Sequence, residues 1–138
     1  MKQVAAVVLL RSDEAALFQL RDNKPGLPWP GRWSLPSGRR EANETLVLCA
    51  KRELREETGY DCQELHKLVT LEPDHDGYEN YQMTAFWTNY DGLQNLECLE
   101  GQEIRFIERL EAADYSLPTF ILSVWDLATD QMRRKLCR

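Results

Sequence analysis

A chain of 138 residues, 43% of them hydrophobic and 29% charged, has the makeup of one folded globular domain spanning 1–138, and excludes a disordered, fibrous or membrane-embedded chain. Its 17 basic against 23 acidic residues give a formal charge of -6, which leaves no basic footprint for stable binding of a nucleic-acid duplex. Cys49, Cys62, Cys98 and Cys137 lie far apart without C-x-x-C spacing, no cleavage pattern follows Met1, and no segment reaches bilayer length; reduced thiols, a cytoplasmic location and no membrane partner are expected.

Val4 to Leu10 is a continuous apolar run that reads as a buried strand, with Ala15 to Leu20 as its hairpin partner. From Arg21 to Gly31, Pro25, Gly26, Pro28, Pro30 and Gly31 exclude regular structure and predict a long loop, a kind of segment that often carries function. Trp33 to Leu35 is a short extended piece, and Pro36-Ser37-Gly38 a turn. A helix is predicted from about Glu44 to Thr58, ended by Gly59. Strands follow at Glu64 to Leu71 and Tyr78 to Tyr90, the second with Tyr81, Met83, Ala85 and Trp87 on one face and Thr84, Phe86 and Thr88 on the other. Asp91-Gly92 marks a turn, Glu103 to Leu110 a strand, and Leu117 to Leu136 a last helix whose basic end, Arg133 to Lys135, complements its dipole. This order predicts a mixed β-sheet sandwiched by helices, in the α/β (α+β) class.

On the first helix, at roughly 100° per residue, Glu53, Glu56 and Glu57 share one narrow arc beside an apolar face of Val47, Ala50 and Leu54. Like charges so spaced repel by about 0.2–0.5 kcal/mol per pair. Arg52, one turn from Glu56, offsets part of that; a hard divalent cation, for which carboxylate oxygens are the preferred ligands, would offset more. The geometry alone leaves open a metal site or a solvated, salt-bridged face.

The flanking residues add a pattern. Gly38, then Glu44, then Arg52-Glu53-Leu54-Arg55-Glu56-Glu57-Thr58-Gly59-Tyr60 resembles the Nudix box, the loop-helix-loop signature of the Nudix (MutT-type) hydrolases. Trp33-Ser34-Leu35-Pro36 resembles the family's entry to that loop, and Glu100-Gly101-Gln102 a later loop that supplies a further acid in some members. Two positions depart: Ser37 stands where a second glycine is common and Tyr60 where an aliphatic residue is usual.

The resemblance implies an α/β/α sandwich with the box helix packed on its mixed sheet. It also implies metal-dependent hydrolysis of a phosphoanhydride bond in a nucleoside diphosphate linked to another moiety, with Mg²⁺ or Mn²⁺ as cofactor and a small nucleotide as partner. Glu56 and Glu57 would be the principal metal ligands, Glu53 would bind metal or orient the attacking water, and Gly38 would offer its backbone carbonyl. Arg52 would orient the carboxylates and Glu44 would hold loop to helix, in a place where it could also cap the helix N-terminus. The base that takes the water's proton is Glu53 or Glu100, with Glu103 behind them. The alternative is a non-catalytic nucleotide-binding or sensor domain of the same fold. Dimers are common in the family, so a homodimer is open.

Other features read as structural. His66 and His75 have no second ligand at metal spacing, and Trp29, Trp33, Phe86 and Trp87 are expected to pack rather than stack on a base. Pro73 and Tyr78 resemble competing hints for ADP-ribose and dinucleoside polyphosphates and decide nothing. The tail Asp114-Tyr115-Ser116-Leu117-Pro118 lacks the asparagine with which the family's oxidised-guanine sanitiser reads its base.

Overall fold

The computed structural model describes residues 2–27, 30–73 and 80–137; Trp29, His75 and Tyr78 lie outside the described residues. In chain order the elements are β1 (Lys2–Leu10), β2 (Ala16–Leu20), β3 (Trp33–Ser34), β4 (Ser37–Arg39), α1 (Leu46–Thr58), β5 (His66–Leu71), β6 (Tyr81–Asn89), β7 (Glu103–Ile107), a 3₁₀ turn (Arg109–Tyr115) and α2 (Thr119–Leu136).

The apolar run Val4 to Leu10 is continuous because β1 is central and covered on both faces, with β6 parallel to it from Lys2↔Tyr81 to Leu10↔Asn89. Val4, Ala6, Val8 and Leu10 pack with Met83, Ala85 and Trp87 under Ile121, Val124, Trp125, Ala128 and Met132 of α2. Ala5, Val7 and Leu9 pack with Leu17 and Phe86 under Cys49, Ala50 and Leu54 of α1. The expected α/β/α sandwich and the expected two faces of β6 are both present.

The site is positioned by a fork in this sheet. β1 and β2 pair only at their turn end, Leu10↔Ala16, and then part. Into the gap run β3, paired to β2 through Gln19↔Ser34 and Leu20↔Trp33, and β4, paired to β1 from Val4↔Arg39 to Ala6↔Ser37. Between them Pro36 accepts the Val7 N–H at 3.0 Å. The expected turn at Pro36-Ser37-Gly38 is therefore a strand in its second half: the edge of β1 offers backbone partners that sequence composition does not reveal.

Other boundaries shift by a few residues. Helix α1 starts at Leu46 rather than Glu44, because Thr45 is extended and its Oγ1 accepts the Leu48 N–H at 3.2 Å. Gly59, at φ 80°, ends the helix and donates its N–H to Arg55 O at 2.8 Å. The strand expected to reach Leu110 stops at Ile107, after which the 3₁₀ turn leaves Leu110 exposed. α2 begins after Pro118, whose missing N–H costs nothing there.

Candidate metal and phosphate site

Gly38 and Glu53 occupy each other's space. A side chain on Gly38 would overlap the Glu53 carboxylate, so the glycine lets the α1 acid approach the β4 backbone. Ser37 needs no glycine at its own position, since its φ is not positive; its N–H donates to Glu57 Oε2 at 3.1 Å. The Gly38 carbonyl accepts the Cys49 thiol at 3.5 Å.

Behind these acids stands Arg52. Its Nε and Nη2 grip both oxygens of Glu44 at 2.7 and 3.0 Å, Nη2 also reaches Arg39 O at 3.1 Å, and Nη1 donates to Glu53 Oε1 at 2.8 Å and to Glu56 Oε2 at 3.3 Å. Two hydrogen bonds from one guanidinium, with the Glu41 N–H, hold the Glu44 carboxyl down at about 2. Glu44 thus ties loop to helix through Arg52, as expected. It does not cap the helix, because Thr45 does.

Glu100 arrives from far along the chain. Glu97 and Leu99 donate their N–H groups to Thr58 O and Glu57 O at 2.9 and 3.0 Å, satisfying carbonyls that the end of α1 leaves without helical partners. On the other side the buried Gln19 amide donates to Glu100 O at 2.8 Å. Gly101, at φ 82°, makes the turn against Leu20 O, where a Cβ would clash.

As a result ligand oxygens of Glu53, Glu57 and Glu100 lie within 4.8 Å of one another. They face a cleft of about 200 Å³, lined by Gln19, Arg21, Asp22, Leu27, Ser37, Glu53, Glu57, Glu100 and Gly101. Glu57 is only 2% exposed. Burial, then the charges of Glu53 and Glu100, push its carboxyl up to about 9 against the opposing Ser37 N–H. Glu53 is raised as well, by burial first, with Arg52 opposing.

Of the residues singled out in the sequence, Glu53, Glu57 and Glu100 come together. Glu56 stands outside that trio: its side chain is 55% exposed and turned to Arg52. Arg52 backs Glu53 and is absent from the cleft lining. Glu103 is tied to Arg105 at 2.6 Å and lies outside both the trio and the lining. Sequence reading missed Gln19, Arg21 and Asp22. The one available signal was the loop beginning at Arg21, whose breaker density already marked it.

The remaining features are placed as follows. Phe86 and Trp87 are buried on opposite faces of β6, Trp33 meets Tyr115 edge-on at 5.4 Å, and His66 lies against Trp87 at 4.9 Å with Lys135 Nζ 3.0 Å from its Nε2. Tyr60 fills an apolar slot with its ring while its hydroxyl donates to Asn89 O at 3.2 Å and accepts the Asp91 N–H at 3.0 Å. All four cysteines are free thiols, and no helix among the described residues is long and apolar enough to cross a membrane.

Residues 1–125 match the NUDIX domain. Over 91 residues, 64% of this chain, it is 35% identical to putative nudix hydrolase 1 of Caenorhabditis elegans, and over 42 residues, 30% of this chain, 48% identical to the 8-oxo-dGDP phosphatase NUDT18 of Danio rerio. Those stretches span 23% and 13% of the two relatives' lengths. Among solved structures, the NUDIX domain of Shewanella oneidensis NrtR, complexed with ADP ribose, superposes with a TM-score of 0.78 at 17% identity, covering 94% of this chain and 87% of that one. The Nudix box read from the sequence, the fold and the domain match agree: the chain belongs to the Nudix family.

Proposed function

We propose that this chain, acting as a single domain, is a metal-dependent pyrophosphohydrolase that cleaves a phosphoanhydride bond in a nucleoside diphosphate linked to another moiety, by attack of water on phosphorus. The observation that carries this reading is the carboxylate trio of Glu53, Glu57 and Glu100 in a cleft, with Glu57 buried and its Oε2 accepting the Ser37 N–H. A buried acid in that setting takes either a proton or a cation, and hard oxygen donors suit Mg²⁺ or Mn²⁺.

Glu57 and Glu53 would hold the ion, together with the Gly38 carbonyl. Glu56 would join them by turning from Arg52, which its exposed side chain is free to do. Bound there, the ion supplies charge neutralisation for phosphate oxygens and acidifies the attacking water. Arg52 keeps Glu53 oriented from behind. Glu100 takes the water's proton: Gln19 holds its carbonyl at the rim, and among the described residues no hydrogen bond engages its carboxylate. Glu53, already engaged by Arg52, is the less suited base.

The resemblance to an 8-oxo-dGDP phosphatase puts oxidised guanine nucleoside diphosphates first in the substrate panel. ADP-ribose comes next, as the ligand of a structural neighbour. Four free thiols suit a reducing cytoplasm. The test is turnover with Mg²⁺ or Mn²⁺ over 8-oxo-dGDP, dNTPs, NDP-sugars, ADP-ribose and dinucleoside polyphosphates. The expected result is metal-dependent release of a phosphorylated product from one class; tight binding without any product would favour the sensor alternative.

A further inference from the structure

Gln19 is the odd residue of its strand. β2 is otherwise apolar, with Ala16, Leu17, Phe18 and Leu20, and an amide that is 3% exposed costs free energy unless its polar atoms are used. Leu17, two residues back on the same face, packs under α1, whereas Gln19 lines the carboxylate cleft. Gly101 leaves room for it: a Cβ there would come within 3.1 Å of Gln19 Cγ and 3.2 Å of Nε2.

The partner of the amide fixes which way round it sits. The Glu100 carbonyl can only accept, so the amide nitrogen faces it, at 2.8 Å, and Oε1 is left as an acceptor. Among the described residues no hydrogen bond engages Oε1, and Oε1 is not one of the fully buried atoms left without a partner; it therefore reaches the cleft that Gln19 lines. Such an orphan does stand directly across from Gln19 on β3: Ser34 Oγ, fully buried and unpartnered. Facing residues of an antiparallel pair share one face of the sheet, and a buried hydroxyl without a protein partner is satisfied by water. Two independent polar groups thus mark a place beside Glu100 that suits a water molecule.

A water that attacks phosphorus has two hydrogens to place. As its oxygen bonds to phosphorus, the bridging P–O bond breaks, the electron pair leaves with the departing phosphate, and one proton passes to Glu100. The other hydrogen needs its own acceptor, because a water held at one point can still rotate its lone pair away from phosphorus. Oε1 is such an acceptor, on a side chain tied to the backbone of the residue that carries the base.

We propose that Gln19 is a catalytic residue that orients the attacking water, its Oε1 accepting the hydrogen that Glu100 does not take. This rests on the hydrolase reading of the same cleft. The role differs from that of Arg52, which reaches the chemistry only through Glu53.

Partition between water and methanol tests it. Methanol brings one hydrogen, which can serve Glu100 but leaves nothing for Oε1, and its methyl group would press on the amide; the parent should disfavour it. Gln19→Met is similar in length and lacks the amide. Parent and variant are compared with Mg²⁺ on the nucleotide panel in a water–methanol mixture, and mass spectrometry counts methyl ester against hydrolysis product. For Gln19→Met the ester fraction should rise at least about fivefold and kcat fall about tenfold or more, with KM and the calorimetric Mg²⁺ affinity within about twofold of the parent. A side chain that only held Glu100 in place would lower kcat without moving the ester fraction, and that result overturns the proposal, as does an unchanged kcat or a Mg²⁺ affinity that falls in step. Should Gln19→Met fail to fold, Gln19→Asn, whose amide is drawn back by one methylene, decides by the same fraction. A parent that turns over no nucleotide sinks the hydrolase reading and this proposal together; a parent that hydrolyses one, with the ester fraction unchanged in the variant, sinks this proposal alone.

Discussion

Glu44 and Glu57 are the same side chain in two neighbouring regions, and they are held in opposite states. Behind α1, Glu44 meets the Arg52 fork and a backbone N–H, and its carboxyl is drawn down to about 2. In front of α1, burial and two further carboxylates outweigh one N–H and the charge of Arg21, and Glu57 is pushed up to about 9. The rear cluster is electrostatically complete within the chain. The front cluster stays short of positive charge, its raised carboxyls outweighing the contributions of Arg21 and Arg52. That difference tells the scaffold acid before α1 from the working acid on it.

The largest effect should come from removing the incomplete charge. Glu57→Gln should lower kcat/KM more than about 100-fold, since even partners in the outer shell of a metal site are worth about 10–100-fold. Its thermal stability without metal at pH 8 should be equal or higher, because folding no longer has to protonate an acid that is ionised in the unfolded chain. Residual turnover near the parent level would break the comparison at its front half.

Disturbing the complete cluster should act on stability as well as activity. Arg52→Ala leaves Glu44 and Glu53 without their shared donor and should cost about 2 kcal/mol, from charge-assisted hydrogen bonds discounted for partial exposure. Arg52→Lys should recover only part, lacking the fork. Denaturant melts read the first quantity and initial rates the second. A variant losing activity with no loss of stability would place Arg52 in the chemistry itself.

The two regions also predict opposite pH responses. Glu44, depressed from 4.5 to about 2, contributes stability that is present above 4.5 and is lost as pH falls through 2. Glu57, raised from 4.5 to about 9, contributes stability that is full below 4.5 and is lost as pH rises through 9. In the absence of metal the melting temperature of the parent should therefore fall between pH 5 and 9 relative to Glu57→Gln, and saturating Mg²⁺ should remove the difference.

The smallest effect lies at the start of the helix. Thr45→Ala should cost about 1 kcal/mol through the lost cap and leave kcat unchanged. A drop in kcat there would mean that the register of α1 is set by its cap rather than by Arg52 and Gly38.

Much of this was legible in the sequence because it is local. Periodicity on α1 placed Glu53, Glu56 and Glu57 on one arc, Gly59 marked the end of the helix, and alternation along β6 separated its two faces. What escaped was what neighbours across the chain decide. Thr45 caps instead of Glu44 because the backbone turns extended one residue later. Ser37–Arg39 is a strand because β1 has an open edge beside it. Periodicity treats Glu56 as the equal of Glu53, but Arg52 draws Glu56 outward, while Gln19 and the end of α1, far from Glu100 along the chain, bring Glu100 in. Arg21 reaches the cleft through Gln102 and Arg32, pairings that no spacing rule contains.

The account turns on Glu57 being protonated until a divalent cation takes the proton's place. The most direct test is Mg²⁺ titration by calorimetry at pH 7.5 in two buffers of different ionisation enthalpy, which counts protons released on binding. The account predicts release of about one proton by the parent and almost none by Glu57→Gln, which should also bind Mg²⁺ far more weakly. Mg²⁺ binding by the parent without proton release, or equal release from Glu57→Gln, would contradict it.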